Sequence, residues 1–296
     1  MAIPESQLET WSHTGSVIQS SDTYQTVRKA LLASDASYAD KSFEVFLQGS
    51  YGNNTNIYAE SDVDVVIRLD SICRSNIADL SLAEQQAYHG LFPCATYPFS
   101  DFKAGVFAAL ENSFGNTAVK AGNKAITIKA EGSRRSADVV VCYQYRSYKK
   151  FDPNSPNNCT FGIIFPTPIG EVINYPKQHS ENLTLQHQST GQMLKPMVRI
   201  LKNMRNWMAE NSMLQEGVAP SYHLEGLFYN VPPNQYPTRS FGDAFCNGIT
   251  WILQADRKKL VCPNWQYYLL GKSNVQWNDA NYDAFLAAVC KLWKEW

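Results

Sequence analysis

The spacing of hydrophobic and polar positions changes character partway along this chain. In the first half, short β-branched and aromatic runs alternate with turn residues, as strands do. Phe43-Glu-Val-Phe-Leu47 predicts a strand that ends in the turn-rich run Gly49-Ser-Tyr-Gly-Asn-Asn-Thr-Asn56. Asp62-Val-Asp-Val-Val-Ile-Arg-Leu69 is β-branched and mostly apolar, the pattern of a buried strand. Residues 125–131 alternate like a strand, and Ala137-Asp-Val-Val-Val-Cys-Tyr143 predicts another, the two joined as a hairpin through Gly132-Ser-Arg-Arg135. Residues 1–40, 76–92 and 101–113 read as helical. Asp22-Thr-Tyr-Gln25 has capping-box spacing, and Tyr24, Val27 and Leu31 form an apolar stripe.

Residues 152–180 are rich in Pro, Asn and Gly and predict an irregular or short-stranded crossing. A helical pattern starts near residue 186. Leu194, Met197, Val198, Leu201, Met204 and Met208 make one stripe, and Pro196 requires a helix start near Lys195 or a kink there. Residues 221–230, 241–256 and 279–295 also read as helices, and the proline-rich stretch 231–237 as a loop. The picture is α+β, with a mixed first half and a helical second half.

Composition narrows the function classes. The chain has 296 residues, enough for one large domain or two closely packed ones. Lys plus Arg number 26 and Asp plus Glu 27, so the net charge of −1 excludes a chain-wide basic surface for long nucleic acid. A local basic pocket for a small phosphorylated ligand stays open. No apolar run is long enough to span a membrane, and residues 1–13 are polar without a signal-peptide run. Seven scattered cysteines, at 73, 94, 142, 159, 246, 262 and 290, form no Cys-x-x-Cys pair, as expected of reduced thiols in the cytoplasm.

The candidate chemistry lies between Gln48-Gly-Ser50 and Asp62-Val-Asp64. Side chains alternate along a strand, so Asp62 and Asp64 project to one side. Two carboxylates on one face of an apolar strand repel each other, and a divalent cation relieves this. Mg²⁺ prefers carboxylate oxygens together with substrate phosphate oxygens. Asp138, embedded in the later β-branched run, is the third acid. Three strand carboxylates can hold two ions about 3.5–4 Å apart for in-line displacement at phosphorus. An Asp-x-Asp pair alone is a weak signal, because most such pairs are solvated or salt-bridged. Gly49 and Ser50 strengthen it: glycine permits close backbone approach to phosphate, and the serine offers a hydroxyl and an N–H.

On Gly49-Ser50, Asp62-x-Asp64 and Asp138 the chain resembles the DNA polymerase β-like nucleotidyltransferases. The string Gln-Gly-Ser-Tyr-Gly-Asn-Asn-Thr-Asn-Ile, followed by Glu-Ser-Asp-Val-Asp-Val-Val, is similar to the bacterial cGAS/DncV-like nucleotidyltransferases (CD-NTases). These make cyclic oligonucleotides in CBASS anti-phage systems. The resemblance implies an α+β fold, with a polymerase β-like core of mixed sheet flanked by helices and a helical C-terminal domain packed across the active-site cleft. Residues 1–180 would hold the N-terminal helices and catalytic core, and residues 181–296 the helical domain.

The resemblance also implies a mechanism and partners. Gly49 and Ser50 would grip a donor triphosphate, and Asp62, Asp64 and Asp138 would hold two Mg²⁺ ions, with Mn²⁺ as a substitute. A ribose hydroxyl, assisted by Asp138, would attack the α-phosphate of an NTP and release pyrophosphate, and a second round would close a cyclic di- or trinucleotide. Substrates would be ATP, GTP or a pyrimidine NTP. A separate CBASS effector would read the product, and an activating protein partner fits the defence role. One departure from many relatives is Gly52-Asn-Asn-Thr55, where they place a second glycine and a basic residue; backbone and Asn groups of this turn would then meet the triphosphate.

In the helical half, Lys195, Arg199 and Lys202 recur at i, i+4 and i+7, which alone suits a solvated face. The resemblance picks out Lys202 as the lysine that meets the triphosphate. Ser221, in Pro220-Ser-Tyr-His-Leu-Glu225, suits an N-cap, and the resemblance adds a triphosphate contact. Tyr222, Tyr229 and His223 read as packing residues. Gly271-Lys-Ser273 lacks the glycine that a P-loop requires. Two alternatives remain. One is the same chemistry directed to linear oligonucleotides or to a tRNA, protein or small-molecule acceptor. The other is a nucleotide-binding protein without turnover.

Overall fold

The computed structural model describes residues 3–15, 17–58, 62–92, 95–237 and 240–296. Cys94 and the Glu60-Ser61 pair of the motif lie outside these residues. The chain forms two compact units: residues 18–48 with 61–176, and residues 1–17, 49–60 and 177–296.

The first unit is built on a mixed sheet. Its strands among the described residues are β1 (Phe43–Leu47), β2 (Val63–Asn76), β3 (Val119–Ala121), β4 (Ile126–Ile128), β5 (Ala137–Ser147), β6 (Thr160–Thr167) and β7 (Gly170–Asn174). The order is β1-β2-β5-β4-β3, and β6 pairs with the far half of β5 and with β7. β2 and β5 run parallel; the other pairings are antiparallel. Strict alternation explains the faces. Val63, Val65, Ile67, Ala137, Val139 and Val141 are buried on one side. On the other, Val66, Val140 and Cys142 form a smaller apolar cluster with Ile163 and Phe165. Asp64 and Asp138 begin that second face.

The helices of this unit depart in places from the sequence pattern. α2 spans Val17–Leu31, so Asp22 is an interior residue and its capping-box spacing caps nothing. Thr23 and Thr26 satisfy their hydroxyls on the carbonyls of Gln19 (2.7 Å) and Asp22 (2.8 Å), which lets the polar run remain helical. The helix expected from residue 76 begins only at α4 (Leu82–Leu91), because β2 continues to Asn76 past a register shift. Its start is a true capping box of Ser81 and Glu84. α5 (Phe99–Phe114) follows the expected apolar spacing. The expected β4–β5 hairpin is present. The Pro/Asn-rich crossing conceals the β6–β7 hairpin.

The second unit is helical: α1 (Glu5–Ser12), the short α3 (Gly49–Gly52), α6 (Pro176–Ser189), α7 (Leu194–Glu210), α8 (Ser221–Tyr229), α9 (Phe241–Gln254) and α10 (Asp279–Glu295). α6 begins ten residues before the expected position. Its sequence is almost wholly polar, with only His179 and Leu183 buried, so it carries no apolar stripe to read. α7 starts at Leu194, which puts Pro196 in the first turn, where a missing N–H costs nothing. Its stripe joins Leu224, Leu227, Phe228, Phe245, Phe285 and Trp277 in the main core, each side chain contributing about 1.5–3 kcal/mol of burial.

Candidate active site

The carboxylates occupy one end of the parallel strand pair. Asp64 in β2 is the register partner of Asp138 in β5, so the two stand side by side on the same face. Val63 and Val65, and likewise Ala137 and Val139, are fully buried on either side of each acid, which fixes the acids outward. Thr127 of β4 is the register partner of Asp138 on the other flank and donates its hydroxyl to the carboxylate at 2.7 Å. Asp62 lies two residues before Asp64 and is exposed; it accepts a hydrogen bond from the Ser136 hydroxyl. The Gln48 N–H donates to the Asp64 carbonyl (3.1 Å), tying the end of β1 to the same position.

These donors are all hard oxygens, the set that suits Mg²⁺. Among the described residues, no three His, Cys, Asp or Glu side chains are placed to hold a metal ion together, so Asp62 does not join Asp64 and Asp138 in a three-residue set. An open carboxylate pair that leaves places for phosphate oxygens and water fits the usual coordination of Mg²⁺.

The turn after β1 belongs to the helical unit. Gly49, the first residue of α3, has φ +62°, a left-handed conformation that favours glycine. The Thr55 N–H donates to the Ser50 carbonyl (2.9 Å) and the Asn53 N–H to the Gly49 carbonyl (3.0 Å), which closes the turn on itself. Side chains of α7 and α8 hold it from beneath. Lys202, 0% exposed, donates from Nζ to Ser50 Oγ (2.7 Å) and to the Thr55 carbonyl (2.9 Å). Arg199 donates to the Asn54 carbonyl (2.7 Å) and to the Ser12 carbonyl. Glu225, 2% exposed, accepts from Asn53 Nδ2 (2.9 Å), from the Thr55 hydroxyl and from His179 Nε2 (2.7 Å).

Lys195, Arg199 and Lys202 are therefore buried, in contrast to a solvated helix face. Burial lowers the Arg199 pKa to about 10. Burial also lowers that of Lys195, with Glu225 opposing and Arg199 adding to the effect. For Glu225, burial favours the neutral acid, but His179, Lys202 and Thr55 outweigh it and hold the group below its ordinary value.

Ser221 is the first residue of α8 and Pro220 its N-cap, with no side-chain capping bond. The Ser221 hydroxyl instead accepts from Arg205 Nη1 at 3.0 Å, because Arg205 lies on the face of α7 that meets this helix start. Of the turn's Asn side chains, Asn53 is buried and donates from its amide to Glu225. Tyr222 packs at 4.9 Å on His179, His223 stacks on Trp277, and Tyr229 accepts from Trp265, so all three are packing residues as expected. Glu225 and His179 are what the sequence reading missed. They stand 172 and 126 residues from Asn53, and no local spacing signals the contact.

Residues 181–294 match the family model of the cGAS/DncV-like nucleotidyltransferase C-terminal helical domain. The chain is 40% identical to the cyclic UMP-AMP synthase of Rhodothermus marinus (strain SG0.5JP17-172), over 100% of this chain and 99% of that protein. It is 34% identical to the cyclic nucleotide synthase CdnE01 of Staphylococcus haemolyticus, over 100% of each chain. The solved structure of the Rhodothermus marinus CdnE c-UMP-AMP synthase with Apcpp and Upnpp aligns with a TM-score of 0.88 at 38% identity, over 99% of this chain and 97% of that one.

Proposed function

The chain belongs to the cGAS/DncV-like nucleotidyltransferases and is a cyclic nucleotide synthase, and from that premise we propose how its residues divide the work. Asp62, Asp64 and Asp138 are the Mg²⁺ ligands, for two ions, with Mn²⁺ as a substitute. Bound there, the metal supplies neutralisation of the phosphate charge that develops during transfer. Gly49 and Ser50 hold the donor triphosphate. Lys202 occupies a lone pair of the Ser50 oxygen, which leaves the serine proton to donate to a phosphate oxygen. Ser221 adds a second hydroxyl to the triphosphate site.

Asp138, steadied by Thr127, assists the attacking ribose hydroxyl to lose its proton. The hydroxyl oxygen bonds to the α-phosphorus, the bond to the bridging oxygen breaks, and pyrophosphate leaves. A second transfer closes the ring. The gain comes chiefly from positioning and charge neutralisation. The observation that carries this reading is the register of Asp64 with Asp138 in the apolar opening stretches of β2 and β5.

ATP and UTP are the first substrates to test, because a protein 40% identical over the whole chain is a cyclic UMP-AMP synthase. GTP is the alternative purine. A separate effector reads the product, and an activating protein partner governs the enzyme. Its NTP substrates favour the cytoplasm; among the described residues no helix is long and apolar enough to cross a membrane. The test is incubation with each pair of NTPs, one of them labelled at the α-phosphate, followed by phosphatase and chromatography. A phosphatase-resistant small product labelled by both ATP and UTP is expected. A linear phosphatase-sensitive product, or label on a macromolecule, would instead assign the chemistry to another acceptor.

A further inference from the structure

We propose that Glu225 is a positioning residue for the donor triphosphate, acting through Asn53 and Thr55 on the conformation of the Ser50 turn. The inference rests on the reading of Ser50 as a triphosphate ligand. A carboxylate buried to 2% exposure is costly unless its oxygens are satisfied. Glu225 takes two of its three hydrogen bonds from side chains of the turn, not from its own helix. The third comes from His179. A carboxylate only accepts, so the His179 partner is Nε2–H.

The turn is thereby gripped at successive residues from the helical side. Ser180 donates to the Gly52 carbonyl (3.3 Å), Glu225 holds the Asn53 and Thr55 side chains, Arg199 holds the Asn54 carbonyl, and Lys202 holds the Thr55 carbonyl. Thr55 is 0% exposed, while Ser50 is half-buried. The Thr55 N–H bond to the Ser50 carbonyl passes any displacement of Thr55 to Ser50. Burial of such a network gives specificity of conformation more readily than stability. Glu225 thus sets where the Ser50 hydroxyl and N–H stand before the nucleotide arrives, and its loss weakens ground-state binding of the triphosphate more than the chemical step.

The test is steady-state kinetics with thermal melting for wild type, Ser50→Ala, Glu225→Gln, Thr55→Val and Thr55→Ser. Thr55→Val keeps the shape and removes the hydroxyl that Glu225 accepts, so it tests the link without removing the buried charge. Expected is a rise of about tenfold in KM for the donor NTP in Thr55→Val and Glu225→Gln, with kcat within about twofold, and recovery in Thr55→Ser. KM within about twofold of wild type in either variant, or a fall in kcat and melting temperature without a change in KM, overturns the proposal. If Ser50→Ala itself leaves KM unchanged, the reading of Ser50 has failed. If Ser50→Ala raises KM and Thr55→Val does not, only the role of Glu225 has failed.

Discussion

Asp64 and Asp138 are register partners across the parallel pair of β2 and β5, each flanked along its own strand by fully buried valine or alanine. Neighbouring strands lie about 4.8 Å apart, so the backbone holds the two carboxylates close before any ligand is present. The hydrogen-bond ladder supplies that proximity. If the acids hold metal and do not support the fold, removing either should cost activity far more than stability.

Asp64→Asn and Asp138→Asn should each lower kcat by about a thousandfold or more while leaving the melting temperature unchanged or raised. Thr127→Val removes the hydroxyl that steadies Asp138 and should cost about tenfold. Melting curves beside initial rates check this. A variant of either acid with near wild-type rate would remove that acid from the site.

Lys202 is a buried cation with two assigned acceptors and a favourable interaction with Glu225. Lys202→Met should lower kcat/KM by about a hundredfold, in line with the loss of charge-assisted bonds to Ser50 and Thr55. Lys202→Arg should not restore it, because a planar guanidinium does not fit the place of a compact ammonium. Full recovery in Lys202→Arg would show that charge alone matters.

Stability should fall as pH drops below neutrality. Burial lowers the His223 pKa to about 4, against a hydrogen bond to the Val275 backbone that raises it. Burial, with Lys195 and Arg199, lowers that of His187 to about 4 also. A folded-state pKa below the unfolded value means that the unfolded chain binds more protons between the two. The stabilisation is therefore complete above about pH 6.5 and is lost as pH falls towards about 4. Between pH 7 and 5, His223 should account for about 2 kcal/mol. Urea unfolding midpoints at the two pH values measure the effect, and His223→Gln should flatten the dependence. Equal midpoints in the wild type would contradict it.

Ser221 makes no capping bond but accepts from Arg205, so Ser221→Ala should cost about 1–2 kcal/mol of stability. If the hydroxyl meets the triphosphate, KM for the donor should also rise severalfold. Isothermal titration with a non-hydrolysable NTP checks the two effects apart. Unchanged affinity would remove Ser221 from the triphosphate site.

Elements whose period is set by one buried face were legible in the chain. The β2 and β5 runs, the acids within them and the stripe of α7 announce themselves, because local alternation and burial agree there. α6 was read late because its contacts are polar, and β6 and β7 were hidden in a segment whose prolines and asparagines suggest loop. The buried state of Lys202 and the contacts of Glu225 could not be read locally. Each depends on a partner roughly 150 or more residues away, and a charged side chain on a short helix looks the same whether it faces water or a folded turn.

Asp64 and Asp138 are proposed to join free NTPs into a cyclic nucleotide. Mass spectrometry with nuclease mapping of the phosphatase-resistant product, from all four NTPs with Mg²⁺, tests it most directly. Expected is a cyclic nucleotide from the wild-type protein and none from Asp64→Asn. A product bearing a terminal phosphate, or the same cyclic product in equal yield from Asp64→Asn, would contradict it.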